Sequence, residues 1–136
     1  MTARLNPYLM LNGDAREALE FYRSVLGGEL VINTYGDVGT PDPGIKDKVM
    51  HGQLTAADGN VLMCSDCPPG MELQPGNSMS VSLSGDTGDG LRETWQKLTD
   101  GATVNVPLEK HMWGDEFGQL VDRYGVAWMV NIGEPQ

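Results

Sequence analysis

The sequence predicts an α+β fold made of two tandem βαβββ modules, at residues 5–66 and 78–132, joined by a linker at 67–77. Three observations indicate this fold: an amphipathic helix near the start of each half, short β-branched and aromatic runs around it, and turn motifs that recur. A length of 136 residues suits one core, so we expect a single domain over 1–136.

The repeat is visible in the turns. Gly13-Asp14 returns as Gly85-Asp86, 72 residues later, and the hairpin glycine Gly59 returns as Gly125, 66 residues later. Repetition at a nearly constant offset describes the whole architecture rather than one segment. Half of this chain buries too little surface to be stable alone, so the halves must pack together or pair with a second chain.

The first module reads β, α, β, β, β. Asp14 and Glu17 match a capping box at the start of its helix, and Gly27-Gly28 ends it, because glycine accepts the left-handed cap conformation. The predicted elements are a strand at 5–11, the helix at 15–26, a strand at 29–35, a loop at 36–48, and strands at 49–57 and 60–65.

The second module repeats this order. Its helix is marked by Leu91, Trp95 and Leu98, which lie on one helical face. The other predicted elements are strands at 78–84 and 103–106, a loop at 107–114, and strands at 117–122 and 126–132.

Composition narrows the class of partner. Nine Lys and Arg stand against nineteen Asp and Glu, a formal charge of −10, which repels phosphate backbones and anionic lipid. We therefore expect neither nucleic acid nor membrane as a partner.

No apolar run has the length of a membrane span and no signal peptide is recognisable, which favours the cytoplasm. Cys64 and Cys67 follow a strand and precede prolines, which disfavours a redox or zinc motif.

The chain resembles the PhnB-like branch of the vicinal-oxygen-chelate superfamily, which includes glyoxalase I, extradiol dioxygenases and bleomycin-resistance proteins. The resemblance covers nearly the whole chain, and its C-terminal run is the more specific part. The matching residues are Asn6-Pro7-Tyr8-Leu9, Gly13-Asp14, Ala18–Tyr22, Leu26-Gly27-Gly28, Leu62-Met63, Asp66, Trp113-Gly114-Asp115, Phe117-Gly118, Asp122–Val126 and Trp128.

The resemblance implies a glyoxalase-like curled sheet whose cup holds a small-molecule ligand, in a homodimer. It places the superfamily's usual metal ligands at Pro7, Met63 or Cys64, Ser80 and Met129. Proline has no ligating side chain, and Ser and Met are poor ligands for a hard divalent ion. We therefore expect no metal and no cofactor. Some branch members carry a demethylubiquinone methyltransferase label, but no glycine-rich turn for S-adenosylmethionine is present.

Candidate site residues follow from this cup. His51 is a candidate general base, because histidine titrates near neutrality, although a structural histidine is the simpler interpretation. Asp66 and Asp115 are candidate acids at strand ends, where Asp also forms turns. The remaining candidates are expected to contact the ligand by strand alternation or loop position: Gln53, Ser80, Ser82, His111, Trp113, Met129 and Asn131.

Three functions remain open at this stage. The first is a small-molecule binding or catalytic protein of the PhnB-like type without the usual metal. The second is a metal-dependent lyase or dioxygenase relative with a shifted site that uses His51, His111 or an acidic residue. The third is a sequestering protein, similar to the bleomycin-resistance relatives, that binds a drug without chemistry.

Overall fold

The fold is taken from a computed structural model that describes residues 3–39, 42–68, 70–86, 88–112 and 114–133. Its elements, in chain order, are β1 (Tyr8–Leu11), α1 (Ala15–Leu26), β2 (Glu29–Thr34), a short 3-10 helix (Gly36–Val38), β3 (Val49–Thr55), β4 (Val61–Asp66), β5 (Val81–Gly85), α2 (Gly88–Leu98), β6 (Thr103–Lys110), β7 (Glu116–Val121) and β8 (Ala127–Ile132). The predicted α+β class with two βαβββ modules is confirmed. No helix among these residues is long and apolar enough to cross a membrane.

Each module forms a four-stranded mixed sheet. The first sheet has the order β1-β4-β3-β2 and the second has the order β5-β8-β7-β6. In both, the first strand of the module pairs in parallel with the last, and the other neighbours are antiparallel. The chain divides into two compact units at residues 75 and 76, inside the predicted linker. The expectation of a single domain stays a prediction.

One helix covers one face of each sheet. Helix α1 packs on β2, β3 and β4, and α2 packs on β5 and β8. The buried residues of α1 are Ala15, Ala18, Leu19, Tyr22 and Val25, at the spacing that the sequence shows, and those of α2 are Trp95 and Leu98. The helix-facing core of the sheets includes Leu54, Leu62 and Cys64 in the first module and Leu120, Trp128 and Val130 in the second.

The helices approach the sheets over two equivalent glycines, Gly52 and Gly118, which lie 66 residues apart like the hairpin glycines. A β-carbon at Gly52 would overlap the Cδ1 atom of Leu19, and one at Gly118 would lie 2.7 Å from Cη2 of Trp95. Both strand positions therefore require the absence of a side chain so that a large helical residue can occupy the space.

The start of α1 differs from the prediction. Asp14 is the residue before the helix, but its side chain makes no capping hydrogen bond. The predicted capping box is therefore wrong. Asp66 instead accepts hydrogen bonds from the backbone amides of Gly13 and Ala15, at 2.8 and 3.0 Å. A carboxylate from β4 thus satisfies the donors that a local cap would otherwise satisfy.

The loop predicted at 107–114 is also wrong in its first half, because β6 continues through Pro107 to Lys110. Strand β6 is an edge strand of its sheet, where proline costs no ladder hydrogen bond on the solvent side. Its register with β7 shifts between Val104 and Val106 and again between Val106 and Glu109. These irregularities account for the weak strand pattern in the sequence.

We expect Gly52→Ala and Gly118→Ala each to lower the free energy of unfolding by about 1–3 kcal/mol, because the new methyl group meets a packed helical side chain. Urea denaturation measures the effect. Gly90→Ala is the matched control, since among the described residues no atom outside the backbone of its own helix lies within 4 Å of its β-carbon position. It should leave stability unchanged or raise it by about 1 kcal/mol. Equal destabilisation by all three substitutions would contradict the packing argument.

Candidate functional site

The face of the first sheet opposite α1, called here the first open face, holds most of the candidate residues of the first module. Side chains alternate across a strand, and burial follows that alternation: Gly52 and Leu54 are buried beneath α1, whereas His51 and Gln53 are half-buried. By register and alternation, the first open face consists of Tyr8, Met10, Glu29, Val31, Asn33, His51, Gln53, Thr55, Val61, Met63 and Ser65.

A tyrosine and a histidine are hydrogen bonded on this face. The hydroxyl of Tyr8 lies 3.2 Å from Nδ1 of His51, and the ring centroids are 5.7 Å apart at a tilt of 39°. Tyr8 is 46% exposed, so the pair is open to solvent. Tyr8 pairs with Met63 of β4, and Met63 pairs with Gln53 of β3, which brings β1 within reach of His51.

Tyr8 is a site residue that the sequence interpretation missed, and it supplies the partner that His51 lacked. The two residues are 43 positions apart. The available indication that Tyr8 lies near His51 was the parallel alignment of β1 with β4, which follows from the βαβββ order of the module. The sequence alone did not specify which residue of β1 would lie opposite Met63.

Other polar groups surround the pair. The hydroxyl of Ser65 donates to the sulfur of Met10 at 3.2 Å, and Nε2 of Gln53 lies 3.5 Å from the hydroxyl oxygen of Thr55. Together with Asn33, which pairs with His51, these residues give the face a phenol, an imidazole, two amides and two thioethers, and Glu29 is the carboxylate at its far end. Apart from Glu29, these groups form hydrogen bonds and apolar contacts with a ligand without adding a fixed charge.

Tyr35 adds a second phenol, placed just beyond the end of β2. Its hydroxyl donates to the backbone oxygen of Asp66 at 2.8 Å. Burial raises the pKa of Tyr35, and the negative charge of Asp66 raises it further. Tyr35 therefore stays protonated and keeps this donor bond over the neutral pH range.

Asp66, a predicted catalytic acid, is bound by backbone amides. Its side chain is buried, and besides the amides of Gly13 and Ala15 it accepts from the amide of Val49 at 2.9 Å. Three backbone donors therefore bind the two carboxylate oxygens. The catalytic role stays a prediction, while these contacts favour a structural role.

The second sheet has a corresponding face opposite α2, called here the second open face. Ser82 pairs with Met129, and Met129 pairs with Gln119, so these three side chains form one row. Asn131 donates to Oδ2 of Asp115 at 3.0 Å. These contacts bring together four of the predicted site residues: Ser82, Asp115, Met129 and Asn131.

The remaining candidates lie elsewhere. Ser80 is exposed and precedes β5, and His111 follows β6, with Nε2 3.2 Å from the backbone oxygen of Phe117. The His111 and Phe117 rings make an edge-on contact at 5.8 Å. Trp113 lies outside the described residues. The ligand-binding roles assigned to these three residues stay predictions.

The two open faces share an amide and a thioether at equivalent positions. Gln53 pairs with Met63 in the first sheet, and Gln119 pairs with Met129 in the second, each 66 residues further along the chain. Gln119 was missed by the sequence interpretation, although the offset of the hairpin glycines would have located it. Gly52 and Gly118 are also equivalent, and helix packing explains why both are glycine. The glutamine–methionine pairs face away from the helices, so helix packing does not explain them.

Glu116 lies beside Asp115 and is already paired. Arg92 of α2 donates from Nε and Nη2 to its two carboxylate oxygens, at 3.0 and 2.6 Å. Hydrogen bonding and charge attraction from Arg92 lower the pKa of Glu116. Glu116 is therefore ionised at neutral pH and holds α2 against the start of β7, which does not suit a proton donor.

The positions that the resemblance assigns to metal ligands hold poor donors for a divalent ion. Pro7 precedes β1 and its carbonyl accepts from the amide of Met63 at 3.1 Å, while Cys64 is buried beneath α1. The strand positions in register with each other are Tyr8 with Met63 and Ser82 with Met129. Thioethers and neutral hydroxyls suit a hard divalent ion poorly. Within the described ranges, no three His, Cys, Asp or Glu side chains cluster as a metal site would require.

The fold places the chain in a known structural class. It is similar to the glyoxylase/bleomycin resistance protein/dioxygenase domain from Frankia sp. EAN1pec, with a TM-score of 0.68 over 98% of this chain and 99% of that chain. Sequence identity is 15%, so this likeness establishes the fold alone. The predicted glyoxalase-like architecture is confirmed.

Closer matches define the family. Residues 3–131 match the profile of the family described as 3-demethylubiquinone-9 3-methyltransferase, and the chain belongs to this PhnB-like family. It is 36% identical to protein PA1353 from Pseudomonas aeruginosa, with a TM-score of 0.89 over 98% of this chain and 100% of that one. It is 28% identical to the putative 3-demethylubiquinone-9 3-methyltransferase, PhnB protein, from Bacillus cereus, with a TM-score of 0.77 over 96% and 100%.

We expect Asp66→Asn to lower the free energy of unfolding by about 2–3 kcal/mol, because one carboxylate oxygen becomes an amide donor facing a backbone N–H. Chemical denaturation measures this. Asp58→Asn is the matched control: Asp58 accepts a single bond, from the amide of Asn60, in an exposed hairpin. Its effect should stay within about 0.5 kcal/mol. If Asp66→Asn were as mild as the control, the structural role would be contradicted.

Proposed function

We propose that this protein binds a small molecule on the first open face, against Tyr8 and His51, without the metal that is usual in the superfamily. The observation that carries the proposal is the solvent-accessible hydrogen bond between these two side chains, at 3.2 Å. It lies on the sheet face that the helix leaves uncovered. The amide of Gln53 and the thioether of Met63 lie in the same row of side chains as Tyr8.

The Tyr8–His51 pair can present either a donor or an acceptor to the ligand. If the Tyr8 hydroxyl donates to Nδ1, then the Nε2–H of His51 is a donor. If Nδ1–H donates to Tyr8, then Nε2 is an acceptor and can act as a general base. The pair therefore offers a ligand a donor in one tautomer and an acceptor suited to proton transfer in the other.

Methyl transfer, the reaction in the family's description, finds little support in the β1–α1 turn. A dinucleotide or S-adenosylmethionine site uses free backbone amides at a helix N-terminus. Here the amides of Gly13 and Ala15 are already bound to Asp66. The proposal therefore assigns no cofactor to this turn.

We also propose a homodimer in the cytoplasm. The dimer rests on the superfamily resemblance, in which paired modules complete the ligand site. Cys64 and Cys67 are not joined in a disulfide, which supports a reducing compartment, because exported proteins usually pair their cysteines.

A fragment screen followed by two-dimensional amide NMR tests the binding proposal. We expect hits to perturb Tyr8, His51, Gln53 and their neighbours, and Tyr8→Phe or His51→Asn to weaken them roughly three- to tenfold, the worth of one hydrogen bond. Tyr124→Phe, in the β7–β8 turn, is the matched control and should not change affinity. Hits that map only to other surfaces, or equal effects of both Tyr→Phe changes, would contradict the proposal.

Native mass spectrometry of the purified protein tests the metal and the assembly together. We expect a species with the mass of two chains and no stoichiometric divalent ion, because the donor set does not suit one. One ion per chain that disappears in His51→Ala would overturn the metal-free site and favour the shifted-site alternative. A monomer at micromolar concentration would contradict the dimer.

A further inference from the structure

The turn between β1 and α1 contains an asparagine followed by a glycine, Asn12-Gly13, and the sequence has no other Asn-Gly pair. This dipeptide is chemically labile, because glycine has no side chain that would shield its backbone nitrogen from the asparagine. Asn12 is exposed, so water reaches its side chain. The turn is therefore the place in this chain where a spontaneous modification of the backbone is most readily expected.

The reaction begins with attack of the Gly13 nitrogen on the side-chain carbonyl carbon, Cγ, of Asn12. The nitrogen loses its proton to the solvent and forms a bond to Cγ, while the Cγ–Nδ2 bond breaks and Nδ2 leaves as ammonia. Water then opens the cyclic imide at either of its two carbonyl carbons, which gives aspartate or isoaspartate. The net change is hydrolysis of an amide, so water is the only co-reactant.

The fold holds the attacking nitrogen in its protonated form. The N–H of Gly13 donates to Oδ1 of Asp66 at 2.8 Å, and the Asp66 side chain is buried. Loss of the amide proton would place two negative charges at hydrogen-bond distance, which is unfavourable away from water.

A second contact fixes the following peptide group of the turn. Nζ of Lys48 donates to the carbonyl oxygen of Gly13 at 3.0 Å. This ammonium lies on the peptide group after Gly13, not on the nitrogen that reacts. Gly13 is thus held on both sides, by a carboxylate at its nitrogen and by an ammonium at its oxygen.

We propose that Asn12 is a spontaneous deamidation site that Asp66 blocks in the folded chain and that reacts when this contact opens. The proposal is independent of the ligand site on the first open face. Isoaspartate adds one carbon to the backbone between β1 and α1, so the amides of Gly13 and Ala15 no longer reach the carboxylate together. The product therefore records past openings of the contact between Asp66 and the turn.

Peptide mapping by mass spectrometry, after incubation of the purified protein in mildly alkaline buffer, measures the rate at Asn12. Asp58→Asn supplies a matched Asn-Gly pair in the exposed β3–β4 hairpin, where the Gly59 amide donates to the neutral carbonyl of Ala56. In the folded protein, the asparagine introduced at position 58 should react about tenfold faster than Asn12, the worth of a hydrogen bond to a charged group. In concentrated urea the two positions should react at similar rates, because folding no longer distinguishes them.

Asp66→Asn tests the carboxylate directly and should accelerate the reaction at Asn12 about tenfold, because the charge that holds the Gly13 amide is lost. Gly118→Ala is the matched control, since it introduces a clash with Trp95 in the other compact unit and leaves the turn unchanged. It should leave the rate at Asn12 unaltered. The comparison of positions 12 and 58 requires no change at Asp66, so it remains decisive if Asp66→Asn does not fold.

Three outcomes would overturn the proposal. Reaction at Asn12 as fast as at position 58 in the folded protein would show that the turn is not protected. Equal acceleration by Asp66→Asn and Gly118→Ala would show that global unfolding, rather than the contact with Asp66, limits the reaction. A much slower reaction at Asn12 than at position 58 in urea would show that the lability is not intrinsic to this dipeptide.

Discussion

The carboxylate of Asp66 is the interaction on which the first module depends. It lies at the end of β4 and binds backbone amides from the β1–α1 turn and from the start of β3. Because their bonds to Asp66 are buried, the amides of Ala15 and Val49 would otherwise be unsatisfied away from water, at a cost of about 1–3 kcal/mol per group. One side chain therefore holds the start of α1 and two strands in a defined relation. The alignment of Tyr8 with Met63, and so its contact with His51, follows from that relation.

The second module stabilises the same architecture with other residues. The position equivalent to Asp66 is Ile132, and no carboxylate is present there. The end of β8 is held instead by the bond from the Gly133 amide to the Gly85 carbonyl, at 2.8 Å, and by the contact of Asn131 with Asp115. A buried acid appears at Asp122, in the β7–β8 turn, where it accepts from Nε1 of Trp128 at 2.8 Å. The repeat thus preserves the architecture, while the polar groups that stabilise it have moved.

The buried carboxylates and the polar side chains of the open faces have different roles, and this difference bears on function. Buried carboxylates in this chain bind backbone amides or an indole, so their charge is already compensated. Apart from Glu29, the polar side chains of the first open face carry no carboxylate, and the Tyr8–His51 pair is accessible for proton exchange with a ligand. We propose that the face left uncovered by the helix holds the small-molecule ligand.

The sequence by itself determined the features that local patterns encode. Helical spacing located α1, alternation separated His51 and Gln53 from Gly52 and Leu54, and the offset between Gly59 and Gly125 revealed the duplication. These patterns are local because they follow from the 3.6- and 2-residue periods of the backbone. The sequence also identified His51, although not its partner, and it missed Gln119.

Only the tertiary structure decided which distant residues meet. Tyr8 contacts His51 across 43 positions, and Asp66 replaces Asp14 as the cap of α1 from 53 positions beyond Gly13. Strand β6 continues through Pro107 because it lies at an edge of its sheet, which the strand order alone establishes. In each case the deciding fact is which strands are neighbours and in what register, and that depends on how all the apolar faces of a module are buried together.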